Sequence, residues 1–334
     1  MSVTPTQVPP LVDTFGRQVT YLRLSVTDRC NFRCTYCMAE DMEFLPKSRI
    51  LSLEEMHRLA ACFVELGVTK IRLTGGEPLV RNGILELVRQ LAALEGLQEL
   101  TMTTNGALLG NMAGELKRAG LSRLNISLDS LNAQRFKEMT RTGDLQSVLD
   151  GIEAARDAGF NNSKINAVLL AGINDMEAVD LARFALENDM DISFIEEMPL
   201  GEIDSHQRAA SQISSEAVKT QLRKEFNLVP SAESTGGPSR YFQCEQYRRK
   251  VGFISPISDN FCANCNRVRL TTEGRLLLCL GNEHSVDLKQ LLRDGASDLD
   301  LKQAIVNSMG IKPERHYFNP AETRILRFMN ATGG

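Results

Sequence analysis

The chain has no apolar run long enough to span a bilayer, no excess of positive charge, no internal repeat and no low-complexity tract. Each absence closes a class. A membrane-spanning helix needs roughly 20 consecutive apolar residues, so none is expected. A net charge of −4 argues against a general binder of nucleic acid or of anionic membrane surfaces and leaves room only for local basic patches. The opening residues, MSVTPTQVPPLVDTFGR, have neither a basic start nor an apolar centre. No secretory signal is expected, and residues 1–12 read as a disordered leader. The expected setting is the cytoplasm, where thiols stay reduced.

What is present is the make-up of an ordinary globular chain: 334 residues, 43% hydrophobic and 24% charged. That is enough for one large or two ordinary domains. Eight cysteines in a reducing compartment point to metal or redox chemistry rather than to disulfides. Cys30, Cys34 and Cys37 crowd into CNFRCTYC, a spacing that chance gives in roughly one such chain in 200. Missing there is a fourth thiol. Soft thiolates select zinc, copper(I) or iron–sulfur clusters. Structural zinc wants four closed ligands, usually as two pairs. A cubane cluster held by three cysteines leaves one iron open to a further ligand. Cys262, Cys265 and Cys279 form a second triad, again with no obvious fourth member, although His284 or Cys244 is available to close a zinc site. Cys62, inside HRLAACFVELG, reads as a small core residue.

Apolar, β-rich runs alternate with helical patterns as far as about residue 200, giving about six β/α units and hence a parallel sheet. The helix after LSLEE has its own start signal, Ser52 with Glu55 as a capping box, and Gly67 as its stop. Six units are too few for a full eight-stranded barrel. The expected fold is therefore α/β: an incomplete (β/α)6 TIM-type barrel over residues 13–200, with an open doubly wound sheet as the alternative. A C-terminal α+β extension, residues 201–320, follows. It contains antiparallel hairpins, one turning near Glu273-Gly274, and carries the second triad. Residues 321–334 form a tail ending in Gly333-Gly334.

Cations recur inside the predicted strands. In NRVRL, Arg267 and Arg269 share one face while Val268 and Leu270 take the other; in TKIRL, Lys70 and Arg72 do the same. Arg23 and Lys164 also sit within strands. Burying unpaired charge is costly, so either nearby carboxylates or a polyanion must satisfy them. Arginine grips phosphate bidentately, which favours the polyanion.

CNFRCTYC followed by LTGGEPLV resembles the radical S-adenosylmethionine (SAM) superfamily, whose Cys-x-x-x-Cys-x-aromatic-Cys motif is matched by Cys30, Cys34, Tyr36 and Cys37. The ordered set DRCNFRCTYCM, IRLTGGEPL, TTNG, NISLD, INDME, IEEMP, FCANCNRVRL and a terminal Gly-Gly is similar to the GTP 3′,8-cyclases, which open molybdenum cofactor biosynthesis. That resemblance implies a 4Fe–4S cluster on each triad and SAM on the first. Tyr36, Gly75, Gly76, Glu77, Ser127 and Met198 would surround the SAM. It implies GTP between the clusters, with its triphosphate on Arg23, Arg72, Lys164, Arg267 and Arg269. Thr103 and the backbone at Val268 would lie nearby, and strand phase adds Lys70. The implied reaction removes the ribose 3′ hydrogen with a 5′-deoxyadenosyl radical and joins C3′ to C8, giving 3′,8-cyclo-7,8-dihydro-GTP. A further implication is a tail whose Gly333 and Gly334 reach the active site; in the preceding AETRILRFMNA, Arg324 and Arg327 are placed to help hold the tail or a phosphate. The partners implied are a reductant protein, a homodimeric second copy and cyclic pyranopterin monophosphate synthase downstream. The rivals are a radical SAM peptide-modifying enzyme with an auxiliary cluster, a two-cluster electron carrier and a zinc-stapled barrel.

Overall fold

The computed structural model describes residues 10–201, 203, 206, 208–233, 236–319 and 325–333. Its frame is six parallel strands, each followed by helix: β1 (Tyr21–Ser25), β2 (Lys70–Thr74), β3 (Glu99–Thr104), β4 (Arg123–Ser127), β5 (Lys164–Val168) and β6 (Asp191–Ile195). These are the six strands expected from the apolar runs. Every residue of β1 and β2 is buried, as in a parallel sheet covered on both sides. Leu22, Leu24, Ile71 and Leu73 belong to the apolar core, which includes the buried face of the helix Leu53–Glu65. That helix starts at the expected capping box of Ser52 and Glu55, and Gly67 lies just beyond its end at φ +94°.

The extension is α+β, as expected, and its strands join the two edges of the same sheet. β7 (Leu228–Pro230), β8 (Arg240–Cys244) and β9 (Lys250–Ile254) make one antiparallel set, and β9 runs parallel beside β6. β10 (Arg267–Leu270), β11 (Arg275–Leu277) and β12 (Ser285–Asp287) make a second set, and β10 runs parallel beside β1. The result is one twelve-stranded sheet, β12-β11-β10-β1-β2-β3-β4-β5-β6-β9-β8-β7. The incomplete barrel is thus lengthened at both edges. Unpaired strand edges favour such additions, because each added strand satisfies a row of N–H and C=O groups. The β10–β11 hairpin turns at Gly274, φ +78°, as the sequence suggests.

Two differences concern boundaries. Leu11 is fully buried and Val12 pairs with Gln18, so the expected leader does not extend to residue 12; residues 1–9 lie outside the described residues. A helix at Ala133–Thr140, capped by Asn132, is absent from the sequence expectation because AQRFKEMT shows little apolar periodicity. Among the described residues, no helix is long and apolar enough to cross a membrane.

Candidate active site

The sheet encloses two joined cavities. One, about 930 Å³, is lined by Cys30, Cys34 and Cys37 together with Tyr36, Gly75, Gly76, Thr103 and Ser127. The other, about 1040 Å³, is lined by Cys262, Cys265 and Cys279 together with Arg23, Arg72, Lys164, Arg267, Val268 and Arg269. Asn166, Ile195, Met198 and Met329 line both, so the two form a single chamber. The first triad follows β1, at the C-terminal ends of the parallel strands. Cys265 precedes β10 and Cys279 follows the antiparallel β11, which puts the second triad at the opposite end.

Strand register builds the wall between them. Arg23 of β1 stands level with Arg269 of β10 on one side and Arg72 of β2 on the other. Three guanidinium side chains therefore sit abreast in the sheet interior. Like charges side by side on a sheet destabilise it. Among the described residues no Asp or Glu forms an ion pair with Arg72 or Arg269; Arg72 donates to the Thr101 hydroxyl at 3.3 Å, and Arg269 donates to the Gly333 carbonyl. Burial, then the neighbouring Arg267, lowers Arg269 to about 9, and burial with Arg269 beside it pulls Arg23 well down. Lys164 donates to Ser193 and Tyr241, each at 3.1 Å, and is lowered by burial. Such a wall suits a ligand of high negative charge.

The polar atoms point the same way. Asn125 Nδ2 and Oδ1, Asn166 Oδ1, Thr74 Oγ1 and Thr103 Oγ1 are buried without a hydrogen-bond partner in the protein. Buried polar groups are normally paired, and Asn166, Thr74 and Thr103 among these line the chamber, where a polar ligand would pair them.

Cys265 stands apart electrically from Cys30, Cys34, Cys37 and Cys279, all of which burial raises. Burial pushes the Cys30 thiol up to about 11 and Cys37 up to about 12, and burial with Cys37 and Asp129 nearby raises Cys34 well above its ordinary value. At the second triad burial also opposes ionisation of Cys265, but Arg267, Lys312 and Arg17 outweigh it and bring the thiol down to about 7. Among the described residues no three His, Cys, Asp or Glu side chains close on a single metal ion. The thiols of each triad line the wall of one cavity, Cys30, Cys34 and Cys37 in the first and Cys262, Cys265 and Cys279 in the second. The alternative fourth ligands stand aside: Cys244 donates its thiol hydrogen to Gln246 at 3.2 Å, and neither it nor His284 lines the chamber.

The loop after β2 is held by backbone. Gly76 N–H donates to Thr27 and Glu77 N–H to Arg29, each at 2.8 Å. A Cβ on Gly76 would lie 2.3 Å from the Arg29 carbonyl oxygen, so only glycine fits. Tyr36 donates its hydroxyl to Asp129 at 2.6 Å, and Asp129 also accepts from Val168 N–H.

Several expected site residues lie elsewhere. Lys70 does not line the chamber; it pairs with Glu99, directly opposite on β3, at 2.5 Å. Thr103 faces the first triad rather than the arginines. Glu77 lines neither cavity; it accepts from Leu79 N–H, Asn105 N–H and the Thr104 hydroxyl and so braces the glycine loop. Gly333 does reach the chamber wall: at φ +74° its Cβ position lies 1.9 Å from Thr74 Oγ1. Gly334 and Arg324 lie outside the described residues. Arg327 serves the tail, donating to Asn282 and pairing with Glu283 at 3.3 Å. Residues the sequence reading omits are Asn166, signalled by its shared strand face with Lys164, and Met329, His316 and Lys312, which carry no motif.

The Radical SAM superfamily model matches residues 24–185, and the Molybdenum Cofactor Synthesis C model matches residues 190–318. A GTP 3′,8-cyclase of Pseudomonas entomophila (strain L48) is 62% identical over 327 residues, 97% of this chain and 98% of that protein. One from Saccharophagus degradans is 58% identical over 326 residues, again 97% of this chain and 98% of that protein. Among solved structures, Streptococcus suis SuiB bound to S-adenosylmethionine superimposes with a TM-score of 0.61 at 15% identity, covering 85% of this chain and 67% of that one, which is a likeness of fold. With near-complete coverage at this identity, the chain belongs to the GTP 3′,8-cyclase family of the radical SAM superfamily.

Proposed function

We propose that this chain is a GTP 3′,8-cyclase that joins C3′ of the ribose of GTP to C8 of its guanine, giving 3′,8-cyclo-7,8-dihydro-GTP. The observation that carries the reading is the arginine row Arg269–Arg23–Arg72, set in a chamber that runs from one thiol triad to the other. Cys30, Cys34 and Cys37 hold one 4Fe–4S cluster with SAM beside it, near Tyr36, Gly75, Gly76, Ser127 and Met198, and Cys262, Cys265 and Cys279 hold a second. When bound, the cluster and SAM would supply, for one electron from the donor, a 5′-deoxyadenosyl radical to take the 3′ hydrogen, and a further electron and proton after the C3′–C8 bond forms would complete the dihydro product.

The protein's part is placement. A primary carbon radical attacks almost any C–H bond, so the position of the ribose decides the outcome. Arg23, Arg72, Lys164, Arg267 and Arg269 neutralise and fix the triphosphate, with backbone at Val268 alongside. The purine extends toward the second triad, and the ribose spans the waist of the chamber, where Asn166 and Met198 face both ends. The buried walls exclude water that would quench a radical. The same reading carries a separate electron donor, a homodimer, a cytoplasmic setting, and cyclic pyranopterin monophosphate synthase as consumer of the product.

The test is anaerobic. Protein reconstituted with iron and sulfide receives SAM, a strong reductant and either GTP, ATP or no nucleotide. Expected is 5′-deoxyadenosine that rises at least tenfold with GTP alone, matched by a cyclised dihydro product in mass spectrometry. Equal, low 5′-deoxyadenosine in all tubes with GTP recovered intact would reject GTP as substrate.

A further inference from the structure

Lys312 follows the short turn Met309–Ile311 and is only 3% exposed. Its Nζ donates to the Leu278 carbonyl at 2.7 Å and to the Arg267 carbonyl at 3.1 Å, and it lies 3.8 Å from Cys265 Sγ. All three contacts belong to the second triad's own segment. Arg267 is two residues beyond Cys265, and Leu278 immediately precedes Cys279.

No carboxylate among the described residues pairs with this ammonium. Two carbonyl dipoles recover only part of the cost of burying a charge. The nearby Arg17 differs: it donates to the Cys262 carbonyl at 2.8 Å, but Asp13 neutralises it at 2.6 Å. Lys312 therefore brings an unmatched positive charge to the triad beside that of Arg267, and its remaining donor faces a thiol.

We propose that Lys312 is the built-in counter-charge of the group held by Cys262, Cys265 and Cys279, a positioning residue that favours that group's more negative redox state. The inference rests on the reading that this triad binds an iron–sulfur cluster. Reduction adds one negative charge, and cluster potentials follow net charge and hydrogen bonding at sulfur. An ammonium fixed beside a ligand sulfur raises the potential of the second cluster and leaves the first, at the far end of the chamber, where it was.

Wild type, Lys312→Met, Lys312→Gln and Lys312→Arg are reconstituted anaerobically. Iron and acid-labile sulfide are counted per chain, and each protein is titrated redox-potentiometrically by EPR. The titration is repeated in a Cys30→Ala/Cys34→Ala/Cys37→Ala background, which isolates the second triad. Expected for Met and Gln is a reduced-to-oxidised ratio of the second cluster at least tenfold below wild type at the wild-type midpoint, about 59 mV more negative for one electron. Arg stays within threefold of wild type, and the first cluster does not move. Iron kept in the second triad of Arg but lost from Met and Gln would equally support a counter-charge, acting at assembly. A filled but unmoved second cluster in Met and Gln overturns the proposal. So does an equal shift of both clusters, or iron lost from the Arg variant as well, which would make Lys312 a packing strut. Wild type with iron for one cluster only would sink the cluster reading itself, and the proposal with it.

Discussion

At the scale of single residues, two neighbouring cations of β2 have different partners, Glu99 for Lys70 and the Thr101 hydroxyl for Arg72. Lys70 and Arg72 share a strand face, yet Glu99 satisfies the first and the second faces the chamber. Lys70→Met is expected to leave GTP affinity within twofold and to cost about 1–2 kcal/mol of stability, since Glu99 keeps Arg123 at 2.8 Å. Arg72→Met is expected to weaken GTP at least tenfold in equilibrium binding; equal effects of the two would contradict the assignment. Glu77 makes a pH prediction. Burial pushes its carboxyl up to about 7 despite three donors. An acid raised on folding binds its proton more tightly in the native state. Its contribution is therefore complete below the ordinary value of 4.5, falls as pH rises, and is lost above about 7. Asp129, raised to about 6, has the same sign over a lower window. Between about pH 6 and 7 the chain is expected to lose about 1 kcal/mol in denaturant unfolding, and Glu77→Gln to flatten that slope. An unchanged slope would put the titration elsewhere.

At the scale of elements, the six β/α units, the capped first helix and both cysteine triads were legible, because each rests on local periodicity or spacing. The extension was legible as hairpins but not as sheet edges. Pairing β10 with β1 joins Leu22 to Val268 across the length of the chain, and no local pattern encodes such a register. The arginine row depends on that register, so NRVRL and TKIRL each revealed a face but not their alignment with Arg23. Lys312 lay in IKPERH, a polar stretch that reads as loop, and its burial comes from packing alone. The glycine loop after β2 offers a test at this scale. Gly76→Ala sets a Cβ against the Arg29 carbonyl and is expected to cost about 1–3 kcal/mol and to weaken SAM at least tenfold, measured by unfolding and by equilibrium binding. Normal SAM binding in a stable Gly76→Ala protein would remove this loop from the site. Gly333→Ala would meet Thr74 and is expected to lower cyclised product tenfold or more with iron content and SAM binding unchanged.

At the scale of the whole molecule, one chamber holds thiols in two electrical settings. In the cluster-free chain at neutral pH, Cys265 is substantially thiolate while Cys30 and Cys37 are protonated. Brief anaerobic iodoacetamide treatment followed by peptide mass spectrometry is expected to label Cys265 at least tenfold faster than any first-triad cysteine; uniform labelling would mean the basic residues around Cys265 do not act on it. The arginine row has a consequence for handling the protein. Guanidinium groups abreast repel one another, so an anion that settles among them binds the folded chain and not the unfolded one. Inorganic phosphate or pyrophosphate is thus expected to stabilise the purified chain and, for the same reason, to compete with its nucleotide. A buffer chosen to keep the protein soluble would depress its measured turnover.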